Sequence, residues 1–279
     1  MSEKLPPMSD GRMEIHIQRH DVHKIGHLTP EGREHARTIA REKVGKYLDK
    51  EKDTNFLVIA SNQVFDDREP DFGGQRAVET ADEIVSAIRD ELKARGLPDD
   101  HLFGGDTLPI AMSPDLQEAG IFSGDFMKYL KEKYDPENLK GLQYIWNIYY
   151  QDVESEIRKK MSAEGPRDLA RRMDYVFKVA EMVGASFHKT DDRKSQPLVV
   201  WMVGHGGGLD AFLHHYAGVP VDDVGFSPSD GFTIRVNSDG VVVADVKGKE
   251  YPLHQDDELS LPKHPVIADE TIRVSKWNA

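Results

Sequence analysis

Short apolar segments of strand length alternate along this chain with longer segments of helical periodicity. Residues 198–203 are all apolar and lie between Pro197 and Gly204, a pattern typical of a strand that is buried on both faces. Residues 56–60 form a second continuous apolar segment, and residues 13–18 alternate apolar and polar side chains with a period of two. Strands that alternate with helices predict an α/β sandwich with a largely parallel central sheet.

Helices are predicted between these strands. Thr29 and Pro30 suit the N-cap and the first position of a helix, which is expected to end near residue 48. The other predicted elements are helices over 75–93, in parts of 122–160, from Pro166 onwards and over 209–216, a weaker strand at 107–112, and a hairpin of 232–236 with 241–246.

We expect a single domain, because the chain of 279 residues has no internal repeat and no long flexible linker. This domain is predicted to cover residues 1–248. Residues 62–74 are rich in aspartate and glycine and are expected to form a loop. Residues 249–279 are polar, contain proline and are expected to form a C-terminal extension.

The charge and the cysteine content exclude several classes of function. The formal net charge of -13 argues against nucleic acid or an anionic membrane as the main partner. The chain contains no cysteine, which excludes disulfides, thiolate nucleophiles and cysteine-ligated zinc. Neither a signal-peptide core nor an apolar segment of membrane-spanning length is found, so no membrane association and a cytoplasmic location are expected.

Polar residues that suit an anion site follow three of the predicted strands. Arg19 and His20 come after the first strand, Ser61 after the second, and His205 and Gly206 after the strand at 198–203. Sites in open α/β sheets form at the carboxyl ends of the strands. An acidic protein that binds an anion must concentrate positive charge in one pocket, and these strand ends predict where that pocket lies.

Five segments between about residues 13 and 216 resemble the motifs of one family and occur in its order. They are Arg19-His20 with the helix-opening residues 28–32, then 76–81, 116–118, 164–172 and 203–206. The ordered set resembles the histidine phosphatase superfamily, also described as phosphoglycerate-mutase-like. This resemblance implies a three-layer αβα sandwich and a metal-independent phosphatase that needs no cofactor.

The resemblance also implies roles for particular side chains. His20 would attack phosphorus and carry the phosphoryl group until water removes it, since a neutral imidazole is a competent nucleophile. Arg19 and Arg76 suit bidentate contact with phosphate oxygens. His205 would be protonated when substrate is bound and donate to the same oxygens, with Ser61 and Gly206 as further binding residues.

Glu118 is the candidate general acid for the leaving group. Its pKa must be raised by burial if the carboxyl is to be protonated near neutral pH. Asp115 is the nearest alternative acid in the same segment.

Two features depart from the family pattern. Asp21 follows His20, where the family usually has a small residue, most often glycine. We include Asp21 among the candidate binding residues, because its carboxylate would either orient the imidazole or repel a phosphate. Residues 62–74 separate Ser61 from Arg76 and form either a substrate-selecting loop at the pocket mouth or a tolerated surface insertion.

Several alternative sites are disfavoured by the sequence. A metal site at His20, His23 and His27 would need helical geometry, which Gly26 and the preceding strand oppose. Residues 205–208 resemble an esterase oxyanion motif, but the chain has no G-x-S-x-G nucleophile elbow and no P-loop.

Two functions remain beside hydrolysis. A phosphoglycerate-mutase-type phosphotransferase shares the first half-reaction, but His20 and Leu28 are close together and lack the longer segment typical of the cofactor-dependent mutases. A catalytically weak or inactive phospho-ligand-binding module is the other, and Asp21 is the feature that supports it. The resemblance implies a small phosphorylated substrate or a phosphoprotein and does not define which one, and the oligomeric state is not defined by the sequence.

Overall fold

A computed structural model of the chain describes residues 12–24, 26–64, 75–118, 125–220, 223–237 and 239–254. Its strands are β1 (Met13–Arg19), β2 (His23–Lys24), β3 (His27–Leu28), β4 (Asn55–Ser61), β5 (Ile110–Ser113), β6 (Leu198–Gly204), β7 (Gly231–Val236), β8 (Val242–Val246) and β9 (Lys249–Pro252). Its helices are α1 (Pro30–Lys50), α2 (Arg76–Ala94), α3 (Asp125–Tyr134), α4 (Leu142–Tyr150), α5 (Ser155–Lys160), α6 (Pro166–Phe187) and α7 (Gly206–Tyr216).

Seven of the strands form one sheet in the order β5-β4-β6-β1-β7-β8-β9. The first four strands in this order are parallel to one another, whereas β7, β8 and β9 follow as an antiparallel meander. The short strands β2 and β3 pair separately as a small antiparallel ribbon. The predicted parallel sheet is thus confirmed for the half that carries the polar strand ends.

Helices cover both faces of the sheet, as the α/β prediction requires. Successive strand residues point to opposite faces, so Trp201 packs with the apolar residues of α1 and α2. Val200 and Met202 pack on the other face with residues of α4, α6 and α7. The fold is therefore a three-layer αβα sandwich, and in the described residues no helix is long and apolar enough to cross a membrane.

Several predicted boundaries differ from the observed ones. Helix α7 begins at Gly206, not at residue 209, because its packing rather than its helix propensity decides the first turn. A methyl group at Gly207 would lie 2.7 Å from the Trp146 ring of α4, so this close packing requires glycine.

The sheet also continues beyond residue 248 into β9, so the predicted C-terminal boundary falls inside the sheet. Of the predicted loop over 62–74, residues 65–74 lie outside the described residues, as do residues 255–279 of the extension.

The first turn of α1 leaves no room for a side chain at Gly32. Thr29 caps the helix by accepting a hydrogen bond from the Gly32 amide at 3.0 Å, as its sequence position predicts. A methyl group on Gly32 would overlap the carbonyl oxygen of Val22, which belongs to the segment after β1. Gly45, in the same helix, has its nearest neighbouring atom at 3.6 Å from the position of a Cβ, an ordinary contact.

We expect Gly32→Ala to lower the free energy of unfolding by about 1–3 kcal/mol, because the added methyl must displace main-chain atoms. Gly45→Ala is the matched control and is expected to raise the free energy of unfolding by up to about 1 kcal/mol, because alanine has the higher helix propensity. Urea denaturation of the two variants measures both changes. Equal effects at the two positions would contradict the steric explanation.

Candidate active site

Three neighbouring parallel strands end at one edge of the sheet, and their polar residues meet there. Arg19 is the last residue of β1 and His20 follows it, Ser61 ends β4, and His205 follows β6. The His20 and His205 rings lie 5.1 Å apart between centroids, and Nε2 of His205 lies 3.2 Å from the Ser61 hydroxyl. The predicted grouping of these strand-end residues is thus observed.

The His20 ring is held in one tautomer. Nδ1 of His20 lies 2.9 Å from the main-chain carbonyl of Asp21, which can only accept, so Nδ1 carries the proton. The ring nitrogen lone pair is therefore on Nε2. Burial lowers the pKa of His20 well below its usual value of 6.5, and the nearby His205, Arg76 and Arg19 lower it further. His20 is consequently neutral at pH 7 and suited to nucleophilic attack.

Two arginines supply the positive charge of the pocket. Arg19 donates from Nη1 to the carbonyl of Phe226 at 2.8 Å. Arg76, the first residue of α2, is buried, and its Nη2 lies 3.0 Å from Oε2 of Glu118. A guanidinium keeps its charge under burial and presents a planar fork that matches phosphate oxygens. Nη1 of Arg76 lies 2.8 Å from Nε2 of His23, whose ring is 4.9 Å from that of His20, and Arg19 directly precedes His20.

His23 is a site residue that the sequence reasoning missed, since it was considered only as a metal ligand. The β2–β3 ribbon turns back after β1 and brings the His23 ring to 4.9 Å from that of His20. Nε2 of His23 accepts a hydrogen bond from Nη1 of Arg76 at 2.8 Å. Burial, with the charges of Arg76 and Arg19, lowers the pKa of His23 to about 4, so the ring is neutral and able to accept.

A metal centre at these histidines is not formed in the part of the chain that the structure describes. In that part, no three histidine, aspartate or glutamate side chains converge as ligands would. His23 is bound to a cationic arginine instead, and positive charge next to a ligand opposes metal binding. The signal available in the sequence was the short spacing of His20 and His23, with Gly26 soon after them. The φ of 85° at Gly26 allows the turn between β2 and β3.

His205 stands at the N-cap position of α7. Burial lowers the pKa of its imidazole well below 6.5, and the charges of Arg76 and Arg19 lower it further. The ring is therefore neutral. A bound dianion acts in the opposite direction and favours the protonated form. The next residue, Gly206, lies against the Arg19 side chain, with a Cβ position 3.5 Å from Cδ of Arg19. The amino end of an eleven-residue helix thus adjoins the arginine.

Glu118, the candidate general acid, lies beside Arg76, and only 12% of its side chain is exposed. Burial raises the pKa of its carboxyl above 4.5, against the opposing charges of Arg76 and Arg19. Its main-chain amide donates to Oε1 of Gln63 at 2.6 Å. The neighbouring Gln117 donates to Asn62 at 2.7 Å. Asn62 and Gln63, which follow β4, therefore hold the segment that contains Glu118.

Helix α6 supports the same segment from the other side. Arg172 donates from Nη1 to the carbonyls of Asp115 at 3.0 Å and Gln117 at 3.3 Å. Glu164 accepts from Nε and Nη2 of Arg172 at 2.6 and 2.8 Å, which fixes the guanidinium plane. The predicted motif at 164–172 thus positions Glu118, and Asp115 contributes a main-chain carbonyl to this support.

The Asp21 carboxylate is bonded to groups other than the His20 ring. This fully buried carboxylate accepts from the Val22 amide at 2.5 Å, from Nδ1 of His35 at 2.7 Å and from the Ser229 hydroxyl. The main-chain carbonyl, not the carboxylate, contacts His20. An influence of the carboxylate on the imidazole therefore acts through the Asp21 main chain and not through a direct contact with the ring.

Comparisons with known proteins give structural matches only. Neither family models nor curated proteins match the sequence. A phosphoglycerate mutase from Bacillus anthracis is similar in structure, with a TM-score of 0.51 and 16% identity over 88% of this chain and 96% of the mutase. A mycobacterial glucosyl-3-phosphoglycerate phosphatase has a TM-score of 0.50 and 18% identity over 84% of this chain and 97% of its own. From its sheet order, its layers and these matches, the chain has the fold of the phosphoglycerate-mutase-like histidine phosphatases.

Proposed function

We propose that the chain hydrolyses a phosphomonoester through a phosphohistidine intermediate on His20, without a metal or another cofactor. The observation that carries this proposal is the buried, neutral His20 ring, whose proton is on Nδ1, within a pocket of two arginines and a second histidine. Phosphoryl transfer depends mainly on positioning and on electrostatic stabilisation, and the pocket supplies both.

The first step transfers the phosphoryl group to the enzyme. Nε2 of His20 forms a bond to phosphorus while the bond from phosphorus to the ester oxygen breaks. Glu118 gives its proton to the departing oxygen, and Arg19, Arg76 and protonated His205 bind the equatorial oxygens. The Asp21 carbonyl at Nδ1 stabilises the positive charge that the imidazole gains on attack.

The second step releases phosphate. Water attacks phosphorus, the bond to Nε2 breaks, and the Glu118 carboxylate takes a proton from the water. The enzyme returns to its starting state with neutral His20 and protonated Glu118. We prefer water to a second substrate hydroxyl because only a short ribbon, β2–β3, separates His20 from α1.

The binding-module alternative rested on Asp21 beside the nucleophile. The Asp21 carboxylate is bound to three donors of its own and does not contact the His20 ring, which favours hydrolysis. A structurally similar phosphatase is named for a small phosphorylated sugar derivative. We accordingly propose a small phosphomonoester as the substrate, ahead of a phosphoprotein.

The proposal is tested by trapping the intermediate. The enzyme is mixed with a ³²P-labelled aryl phosphate in the presence of a chelator and quenched in base within milliseconds. Label that survives base, is released by acid and is found on the peptide with His20 supports the mechanism. Turnover that requires a divalent metal, or label on a different residue, contradicts it.

The pH dependence of kcat/KM follows from two shifted pKa values. Attack needs neutral His20, whose pKa is lowered well below 6.5, so activity persists below pH 6.5 and falls only when the ring becomes protonated. Donation needs protonated Glu118, whose pKa is raised, so activity falls as the pH rises through that pKa. Stopped assays over a pH series are expected to show a rising acid limb and a falling alkaline limb.

Glu118→Gln is expected to remove the falling limb and to reduce turnover of alkyl phosphates by about 10²- to 10⁴-fold, the usual contribution of a general acid. An aryl phosphate has a good leaving group, so the variant should transfer its phosphoryl group to His20 with a much smaller loss of rate. Equal losses in the rate of His20 phosphorylation, measured for both substrates by rapid quench, would show that Glu118 does not donate the proton.

A further inference from the structure

All four polar atoms of Asp21, namely the amide nitrogen, the carbonyl oxygen and the two carboxylate oxygens, have partners. This position usually holds a small residue in the family that the sequence resembles. The amide donates to Thr80 Oγ1 at 3.0 Å, and the carbonyl accepts from Nδ1 of His20 at 2.9 Å. The carboxylate accepts from the Val22 amide, from Ser229 and from Nδ1 of His35. A buried carboxylate without such partners would be strongly destabilising, so the cluster forms as a unit.

The carboxylate joins three segments of the chain around the nucleophile. His35 comes from the second turn of α1, and its side chain remains 51% exposed. Ser229 lies in the turn before β7 and has a φ of 58°, a left-handed conformation that serine seldom adopts. Ion pairing and hydrogen bonding at the carboxylate therefore hold both the helix and a strained turn against the segment that bears His20.

The turn that Ser229 belongs to also holds Arg19. The carbonyl of Phe226 accepts from Nη1 of Arg19 at 2.8 Å, and the carbonyl of Asp230 accepts from its amide at 2.9 Å. A shift of this turn would therefore move the phosphate-binding guanidinium. A shift of the Asp21 main chain would move the proton acceptor of His20. The Asp21 carboxylate is bonded to both parts.

We propose that Asp21, together with His35 and Ser229, is a positioning group for phosphoryl transfer. It keeps the Asp21 carbonyl on Nδ1 of His20, which maintains the reactive tautomer, and it keeps the turn at Ser229 where Arg19 needs it. This inference rests on the proposed phosphatase function. Displacements of about 1 Å at such supporting groups typically reduce turnover by about 10²-fold. Asp21 itself makes no contact with the reacting atoms.

Four variants separate this role from a purely structural one. Asp21→Gly restores the small residue that the family usually has and removes the carboxylate. His35→Ala removes one donor, and His35→Asn restores a donor because the asparagine amide nitrogen occupies a place similar to Nδ1 of histidine. His27→Ala is the matched control, since His27 is also 51% exposed and pairs with a carboxylate, that of Glu79, at 2.6 Å.

We expect Asp21→Gly to lower the rate of His20 phosphorylation by about 10- to 100-fold and to raise the inhibition constant of inorganic phosphate, because the turn that holds Arg19 loses its bond to the carboxylate. His35→Ala should lower the rate of His20 phosphorylation about tenfold, and His35→Asn should restore most of that rate. His27→Ala should keep the wild-type rate. The double variant of Asp21 and His35 should be no slower than Asp21→Gly, because both changes disrupt one cluster. Wild-type rates in Asp21→Gly, or additive losses in the double variant, would overturn the proposal.

A second readout does not depend on turnover. The ¹⁵N–¹H NMR signal of His20 Nδ1–H reports the tautomer directly. It should be present in the wild type and in His27→Ala, and weakened or lost in Asp21→Gly and His35→Ala. If the enzyme has no phosphatase activity but the signals change as stated, the positioning role stands and the proposed reaction fails. If turnover is high and the signals are the same in all variants, the positioning role fails alone. His35 is half exposed, so its variants keep this test available if Asp21→Gly does not fold.

Discussion

Replacement of His20 by alanine is expected to lower kcat for an aryl phosphate by about 10⁴-fold or more, a loss typical of removing a covalent nucleophile. The change removes Nε2, the atom that forms the bond to phosphorus in the proposed mechanism. The variant should bind inorganic phosphate nearly as well as the wild type, because the arginines remain. Steady-state kinetics with a circular dichroism check of folding measure both expectations.

His16 provides a matched control for this variant. It lies on β1, which His20 directly follows, it is buried, and burial lowers its pKa well below 6.5, as for His20. Its ring, however, contacts Lys43 at 2.7 Å and Thr233 at 3.2 Å, away from the phosphate pocket. His16→Gln should therefore keep kcat within about twofold, since the contacts of His16 hold neither the His20 ring nor the Arg19 guanidinium. Comparable losses in both variants would mean that folding, not chemistry, was affected.

Replacement of Arg76 by alanine is expected to lower kcat/KM by about 10²- to 10³-fold, as found for the removal of one preorganised donor. Lysine should restore little of this loss, because an ammonium cannot make two parallel bonds to phosphate. The charge of Arg76 also lowers the pKa of Glu118. Its removal should therefore raise that pKa and move the falling limb of the pH profile to higher pH.

Arg95, at the opposite end of α2, is the control for Arg76. It pairs with Glu91 and Asp49, both at 2.8 Å, and has no contact with the pocket. Arg95→Ala should leave both the rate and the pH profile unchanged. A wild-type rate in Arg76→Ala would mean that this arginine does not bind phosphate. That result would contradict the proposed function, which depends on a cationic pocket.

The grouping of the strand-end residues was predictable, because neighbouring parallel strands place their carboxyl ends at the same edge of the sheet. Arg19, His20, Ser61 and His205 therefore came together as expected. The helix start at Gly206 was not predictable, because glycine has a low helix propensity and only the packing of Trp146 explains it. Strand β9 was missed because its residues are mostly polar and lie at the edge of the sheet, where no second apolar face is needed.

The supporting contacts of the site could not be read from local patterns. Ser229 bonds to Asp21 from 208 positions away, and Arg172 bonds to carbonyls 55–58 positions away. No periodicity or spacing connects such pairs. The sequence analysis consequently identified the groups proposed to act on phosphate, but it could not give the partners of Asp21 and did not assign His23 or His35 to the site.

The central position of β1 has a consequence for how the protein is made. Its two partners in the sheet are β6 and β7, so Met13 pairs with Leu198 and Ile15 with Ile234. Closing such long loops is slow and must precede any gain from the contacts they allow. During synthesis the first strand leaves the ribosome long before either partner exists. A nascent chain that already contains Arg19, His20 and Arg76 is thus inert, and the pocket is completed only when the last third of the polypeptide has folded onto the first.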